Sequence, residues 1–239
     1  MREAQTTVIR ALAFDVFGTA VDWRSSVIAE LERFGRDHGV SADWPAFADD
    51  WRAGYPAAMD RVRRGELPWT KLDGLHRMIL DDLLAAQDIS VSDEDAEHLN
   101  RVWHRLNPWP DSVAGLIRLK QRYVITTLSN GNVSLLTNMA KHAGLPWDCV
   151  ISAELFGHYK PDAEAYLGCA ALLDVAPDEL MLVAAHPSDL RAARDAGLRT
   201  AYVVRPLERG PGRTPPPAED GEFDVLATDF LDLADQLGA

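Results

Sequence analysis

Ala11-Leu12-Ala13-Phe14-Asp15-Val16-Phe17-Gly18-Thr19 is the stretch from which the fold is read. A short apolar run ends in one carboxylate, followed by a Gly-Thr turn. A parallel strand buried on both faces has this continuous apolar character. In open α/β sheets, ligands bind outside the carboxyl ends of the strands. Asp15 is therefore expected at that edge, with the amides of Val16, Phe17 and Gly18 curling around whatever it faces. A carboxylate that merely caps the turn would produce the same local pattern.

Working outward, Val8 to Phe14 is expected to be the first strand, and Ser25 to Phe34 has helical periodicity before Gly35 and Gly39. From Pro45 to about Leu106 no strand-like run occurs. Helices are expected over Pro45 to Arg64, Trp69 to Gln87 and Asp93 to Leu106, the last opened by Ser92 and three acids. Asn107-Pro108-Trp109-Pro110 reads as a linker that no helix can cross. Helices then alternate with strands. Helices are expected at Asp111 to Arg122, Val133 to Ala143, Pro161 to Leu173 and Ser188 to Ala196. Strands are expected at Tyr123 to Leu128, Cys149 to Ser152, Leu180 to Ala185 and Thr200 to Val204.

Such alternation implies a parallel sheet with right-handed crossovers. Glu208 to Gly221, rich in Pro and Gly, is expected to be a surface loop stiffened at Pro215-Pro216-Pro217. Phe223 to Leu226 is expected as an edge strand and Asp229 to Leu237 as a closing helix. The fold class expected is α/β, a Rossmann-like parallel-sheet core with an inserted helical cap subdomain. The core takes residues 1–21 and 107–239 and the cap residues 22–106.

A net charge of −13 over 239 residues argues against nucleic-acid binding, which needs a basic stripe. Two cysteines, Cys149 and Cys169, exclude a disulfide framework and match no metal spacing. Met1 to Thr7 has no signal-peptide apolar core, and no apolar run is long enough for a bilayer. A soluble cytoplasmic protein is the expectation.

Four predicted strand ends carry polar groups: Asp15; Thr127-Leu128-Ser129-Asn130-Gly131; Tyr159-Lys160-Pro161-Asp162; and Val183-Ala184-Ala185-His186-Pro187-Ser188-Asp189. In order and spacing they resemble the four motifs of the haloacid dehalogenase superfamily, along the whole chain. The helical insertion after the first strand also resembles that family. The phosphatase members read Asp-x-Asp-x-Thr in the first motif, whereas Phe17 stands here in place of the second acid. That substitution is similar to the (S)-2-haloacid dehalogenase branch, as is Trp51-Arg52 followed by Tyr55.

The resemblance implies a hydrolase that converts short 2-haloalkanoic acids to 2-hydroxy acids; the added donor at His186 suggests, beyond the resemblance, that fluoroacetate or haloacetate is the substrate, because fluoride is small, strongly hydrated and more basic than chloride. An aspartate with a reference pKa of about 3.9 is ionised at neutral pH without help. Asp15 would displace the halogen and become an ester, which water then hydrolyses. Chloride and bromide leave without a proton, so Phe17 in place of an acid is tolerable. Lys160 would keep Asp15 ionised and Asp189 would act as base on water. Thr19 would orient Asp15, and Tyr166 would join the same network, although a core tyrosine fits equally.

Arg52 would meet the halide. By charge alone it reads as a solvated helix residue. Ser129, with the amides of Val16 and Phe17, would hold the substrate carboxylate, and Asn130 would donate towards the halide. Ser-Asn-Gly is also a good turn sequence. Motif four departs from the pattern: Ala184 and His186 stand where a serine and an asparagine are usual. His186 would donate or titrate in the site, or else satisfy backbone groups at a strand end.

No metal and no cofactor are expected, because an acid-poor site holds magnesium weakly. The expected partner is a small haloacid, with neither nucleic acid nor membrane, and a homodimer is suggested by the branch. Among the other histidines, His38, His98 and His104 are expected at the surface, and His76 on the cap side of the cleft. His158 is expected near Lys160, and Trp69 packed against the core or walling the pocket. A magnesium-dependent phosphatase and a non-catalytic binding relative are the rival readings.

Overall fold

The structure, a computed structural model, describes residues 8–215, 217–219 and 221–239. Met1 to Thr7 and part of the Pro215-Pro216-Pro217 patch lie outside the described residues.

Strand β1 (Ala11–Phe14) is fully buried and pairs in parallel with β4 (Val124–Ser129) on one side and β6 (Leu180–Ala184) on the other. It begins at Ala11 rather than Val8, because Val8 is 74% exposed and has no sheet neighbour to cover it. Three further strands, β5 (Cys149–Ser152), β7 (Arg199–Val203) and β8 (Val225–Ala227), complete a six-stranded sheet of order β5-β4-β1-β6-β7-β8. Every pairing in it is parallel. The strand order turns back on either side of β1, which makes its carboxyl end the crevice where such sheets bind ligands.

Register fixes what reaches that crevice. Phe14 lies level with Thr127 of β4 and Val183 of β6, so Asp15, Ser129-Asn130 and Ala185-His186 emerge along one edge. Alternation along β1 sends Leu12 and Phe14 to one face and Ala11 and Ala13 to the other. The first face is covered by α5 (Ser112–Lys120), α6 (Val133–Ala143) and α9 (Phe230–Gln236); the second by α7 (Ala163–Leu172) and α8 (Pro187–Asp195).

Between β1 and β4 the chain is helical: α1 (Trp23–His38), α2 (Trp44–Arg63), α3 (Leu72–Ala86) and α4 (Asp93–Asn100), then a 3-10 turn at Arg101–His104. Local chemistry sets the helix limits. The side chains of Asp22, Asp43 and Ser92 accept amide hydrogens at the starts of α1, α2 and α4. Gly39 closes α1 in the left-handed conformation. Trp69 lies in the turn before α3 rather than within the helix, and its ring packs at a tilt against Tyr159, centroids 4.5 Å apart. A two-residue antiparallel pair, Val21–Asp22 (β2) with Asn107–Pro108 (β3), ties the outgoing chain to the returning one at the neck of this insertion. No helix among the described residues is long and apolar enough to cross a membrane.

Candidate active site

Asp15 follows β1 directly and is 7% exposed. Its carboxylate is saturated with donors. Thr19 Oγ1 donates to Oδ2 at 2.8 Å, Lys160 Nζ to Oδ1 at 3.0 Å, and His186 Nδ1 lies 3.0 Å from Oδ2. Thr19 is itself oriented by the Ala185 amide, 2.9 Å from its hydroxyl. Burial alone would raise the pKa of Asp15. The Lys160 ammonium, then His186 and the Thr19 hydroxyl, outweigh burial and hold the acid well below the ordinary carboxylate range.

Lys160 lies between two acids, with Nζ 3.0 Å from Asp15 and 2.5 Å from Asp189 Oδ2. Burial works against its charge, but the two carboxylates more than restore it, so the ammonium titrates above the usual lysine range. Tyr166 donates to the other oxygen of Asp189 at 2.6 Å. Burial, then the Asp189 carboxylate, push the Tyr166 phenol far up, so it stays a donor. Asp15, Thr19, Lys160, Tyr166, His186 and Asp189 thus form one buried hydrogen-bonded network.

A cavity of about 190 Å³ opens onto this network, lined by Asp15, Arg52, Tyr55, Met59, Asn130, Lys160, Pro161, His186, Ser188 and Asp189. Helix α2 supplies the far wall through Tyr55 and Met59, one turn apart on one helix face. The guanidinium of Arg52 stacks over the Tyr55 ring at 4.5 Å and reaches within 5.8 Å of the Trp23 ring. Among the described residues Arg52 makes no ion pair; its charge lines the cavity and helps hold the Glu208 carboxyl low, after His186. An outer cavity of about 830 Å³ continues outward and carries Arg52, Arg191, Arg209 and Arg213. Asp49 and Glu208 line it too, and Arg213 and Arg191 are paired with Asp49 at 3.3 Å and Glu222 at 2.6 Å, which leaves Arg52 and Arg209 as the cations an approaching anion meets without an ion pair among the described residues.

Other expected positions lie elsewhere. Val16 and Phe17 are buried behind the cavity; Phe17 packs edge-on against Trp103 at 5.9 Å and His76 at 6.5 Å. Phe17 therefore ties the loop after β1 to the helical insertion instead of forming cavity wall. Ser129 is buried and accepts from the Gly131 amide at 3.2 Å. The Asn130 amide is committed to its neighbours: Nδ2 donates to the Lys160 carbonyl at 3.2 Å, and Oδ1 accepts the Lys160 amide at 2.7 Å. This clamp fixes the backbone that carries Lys160, and leaves the side chain less free to meet a halide. His76 is buried, stacked on Trp103 at 4.3 Å, with burial and then Arg52 lowering its pKa to about 3. His104 is buried rather than at the surface, because Asp73 at 3.0 Å and Asn138 at 3.0 Å satisfy both ring nitrogens. His158 stays half-exposed, beside Asp162 at 3.6 Å.

Two participants escape sequence reasoning. Glu208, expected in a surface loop, is 5% exposed and lies 2.9 Å from His186 Nε2. Trp23 Nε1 donates to the same Glu208 oxygen at 3.3 Å. Arg205 donates from Nε to the Thr19 carbonyl at 2.9 Å and grips Asp111 with both terminal nitrogens at 2.6 and 2.9 Å. It thereby pins the loop carrying the Asp15 partners. Neither residue stands in a local pattern that marks it: both follow β7 in a stretch dominated by Pro, Arg and Gly.

A divalent cation beside Asp15 would need several further oxygen ligands. The Phe17 side chain provides none, Lys160 lies between Asp15 and Asp189, and among the described residues no cluster of three or more His, Cys, Asp or Glu could hold a metal.

With the geometry in hand, three comparisons bear on the chemistry. A family model described as haloacid dehalogenase-like hydrolase matches residues 9–197. The (S)-2-haloacid dehalogenase 4A of Burkholderia cepacia is 28% identical over 209 residues, 82% of this chain and 84% of that protein. The crystal structure of an L-2-haloacid dehalogenase superposes with a TM-score of 0.93 at 48% identity, covering 96% of this chain and 99% of the other. A second crystal structure, of a defluorinating L-2-haloacid dehalogenase, gives a TM-score of 0.93 at 46% identity, covering 97% and 96%.

Proposed function

This chain belongs to the haloacid dehalogenase-like hydrolase family, and from that premise we propose that it hydrolyses the carbon–halogen bond of short 2-haloalkanoic acids. The observation that carries the reading is the pairing across the inner cavity of a buried, ionised Asp15 with the unneutralised Arg52 guanidinium. A phosphatase needs an acid where Phe17 stands, and a metal site beside Asp15; the residues present suit neither.

Asp15 attacks the halogen-bearing carbon in line; a C–O bond forms, the C–X bond breaks, and halide leaves as an anion towards Arg52. The result is an ester on Asp15. Water adds to the ester carbonyl, and the 2-hydroxy acid departs with inverted configuration. In this scheme the backbone amides after β1 hold the substrate carboxylate, and Ser129, turned to the Gly131 amide, shapes the neighbouring loop instead. The cavity of about 190 Å³ suits acids of two to four carbons, far below the usual size of drug-like sites.

Fluoride is part of the proposal. It is a smaller, harder anion than chloride and gains more from nearby positive charge, and the imidazole of His186 stands at the cavity wall. The 46% identical defluorinating enzyme supports this reading. The helical insertion of residues 22–106 is proposed as a cap that shuts water out during displacement. A cytoplasmic location and a homodimer complete the proposal, the latter checked by size-exclusion chromatography with light scattering.

The test is halide release from chloroacetate, 2-chloropropionate enantiomers and fluoroacetate, beside phosphate release from p-nitrophenyl phosphate with and without EDTA. Halide release without EDTA sensitivity supports the reading. EDTA-sensitive phosphate release with no halide refutes it.

A further inference from the structure

We propose that His186, oriented by Glu208, takes the proton from the water that hydrolyses the Asp15 ester. The proposal rests on the reading above, in which Asp15 is esterified during each turnover. The imidazole bridges two carboxylates, with Nδ1 3.0 Å from Asp15 Oδ2 and Nε2 2.9 Å from Glu208 Oε1. Its Nδ1 is thus within one hydrogen bond of the carboxyl that water must attack. Its side chain keeps 19% exposure and lines both the inner and the outer cavity, so water can reach it. Glu208 is buried and also held by Trp23, which makes it a fixed partner for Nε2.

Asp189 is worse placed for this task. Its two oxygens receive Lys160 at 2.5 Å and Tyr166 at 2.6 Å, so each is occupied by a strong donor. Its geometry is that of a group holding Lys160 in place.

Charge couples the two half-reactions. In the resting site the imidazole is caught between two anions. Burial opposes its charge, but the Asp15 and Glu208 carboxylates outweigh burial and raise its pKa to about 10. The other charges around it are Lys160 and Asp189 beside Asp15, and, around the cavities, Arg52, Arg209, Arg191 paired with Glu222, and Arg213 paired with Asp49. Esterification deletes one of its two anions while the cations remain. The imidazolium then releases its proton to solvent and becomes a base.

The atoms balance. Water oxygen bonds to Asp15 Cγ while one water proton passes to His186 Nδ1. The tetrahedral adduct collapses, breaking the bond from Cγ to the substrate oxygen. That alkoxide takes the remaining water proton, and Asp15 returns as a carboxylate holding one oxygen from water. His186 is again cationic between two anions. Each turnover has released one halide and one proton.

Rapid-quench single turnovers with 2-chloropropionate test this, with halide counted by ion chromatography and the Asp15 peptide weighed by mass spectrometry. The His186→Gln variant should release about one halide per site within a few-fold of the wild-type rate, then stall as the ester. Its steady-state kcat should fall about 10²–10⁴-fold, the usual worth of a general base. Glu208 is a positioning residue, so Glu208→Gln should keep the halide burst. Its acid limb of kcat should move down by about one to three pH units, the effect of losing one adjacent charge. Glu208→Asp should restore part of the wild-type profile. A His186→Gln enzyme that turns over normally, or that stalls with Asp15 unmodified, overturns the proposal. If that variant does not fold, an unmoved acid limb in Glu208→Gln overturns it. Wild-type enzyme that releases no halide from any 2-haloacid would refute the underlying dehalogenase reading instead.

Discussion

Replacing Lys160 by Met removes the ammonium and keeps most of the side-chain volume. In the wild type that ammonium touches Asp15 at 3.0 Å and Asp189 at 2.5 Å. Two oxygens on one ammonium lie within about 5.5 Å of each other, and at an effective dielectric of about 20 their unscreened repulsion is about 3 kcal/mol. That energy corresponds to about two pKa units. Asp15 keeps His186 and Thr19, whereas Asp189 keeps only Tyr166. The two carboxyls then share one proton, taken up to relieve the repulsion. Breaking a buried ion pair in this way costs about 3–5 kcal/mol at neutral pH, a large part of a typical stability.

The sign of the pH dependence separates this account from a general packing defect. In the wild type the lowered pKa of Asp15 contributes stability present above pH 4 and lost as pH falls through the folded value. In Lys160→Met the carboxyl pair has a raised pKa. Its stability is present at low pH and lost as pH rises through that value. Thermal melts from pH 4 to 8 should therefore show the variant's deficit growing with pH. Halide release by the variant should be at least 100-fold down at pH 7. A deficit that is constant with pH, or a variant retaining a tenth of wild-type turnover, refutes the electrostatic role of Lys160.

Other outcomes follow from single contacts. Arg52→Gln should lower kcat/KM for chloroacetate about 10- to 100-fold, matching about 1.5–3 kcal/mol for a hydrogen bond to a charged group, with little change in melting temperature; steady-state kinetics unchanged from wild type would contradict its place opposite Asp15. Gly18 has φ +84°, and a Cβ there would lie 2.3 Å from Glu208 Oε1. Gly18→Ala should cost about 1–3 kcal/mol in stability and displace Glu208, so its acid limb should move in the same direction as that of Glu208→Gln. A melt and a pH profile identical to wild type would remove Glu208 from the site.

The parts of the fold that were legible in the sequence have local causes. Ala11 to Phe14 is apolar because both sheet faces are covered, and the single acid after it stands out. Helix Val133–Ala143 has its expected limits because Gly144 closes it in the left-handed conformation. Strand Cys149–Ser152 is likewise where its apolar run places it. The illegible parts have distant causes. Strands of two residues at Val21–Asp22 and Asn107–Pro108 are too short for any periodicity, and exist because the chain leaves and re-enters the core at one place. His104 is buried by partners on α3 and α6. Glu208 lies in a Pro- and Gly-rich stretch that signals a loop, and only Trp23 and His186, far away in sequence, make it a buried acid. Asp15, Lys160 and Asp189 stood out in the sequence through motif order, but the link from His186 to Glu208 required the folded chain.

The central claim is that the Asp15 carboxylate itself forms the bond to carbon. A single turnover of excess enzyme with 2-chloropropionate in heavy-oxygen water, followed by mass spectrometry of the Asp15 peptide, measures this directly. The account predicts one heavy oxygen in the Asp15 carboxylate and an unlabelled hydroxyl in the product. Label in the product hydroxyl, with none at residue 15, would mean that water attacks the substrate carbon directly.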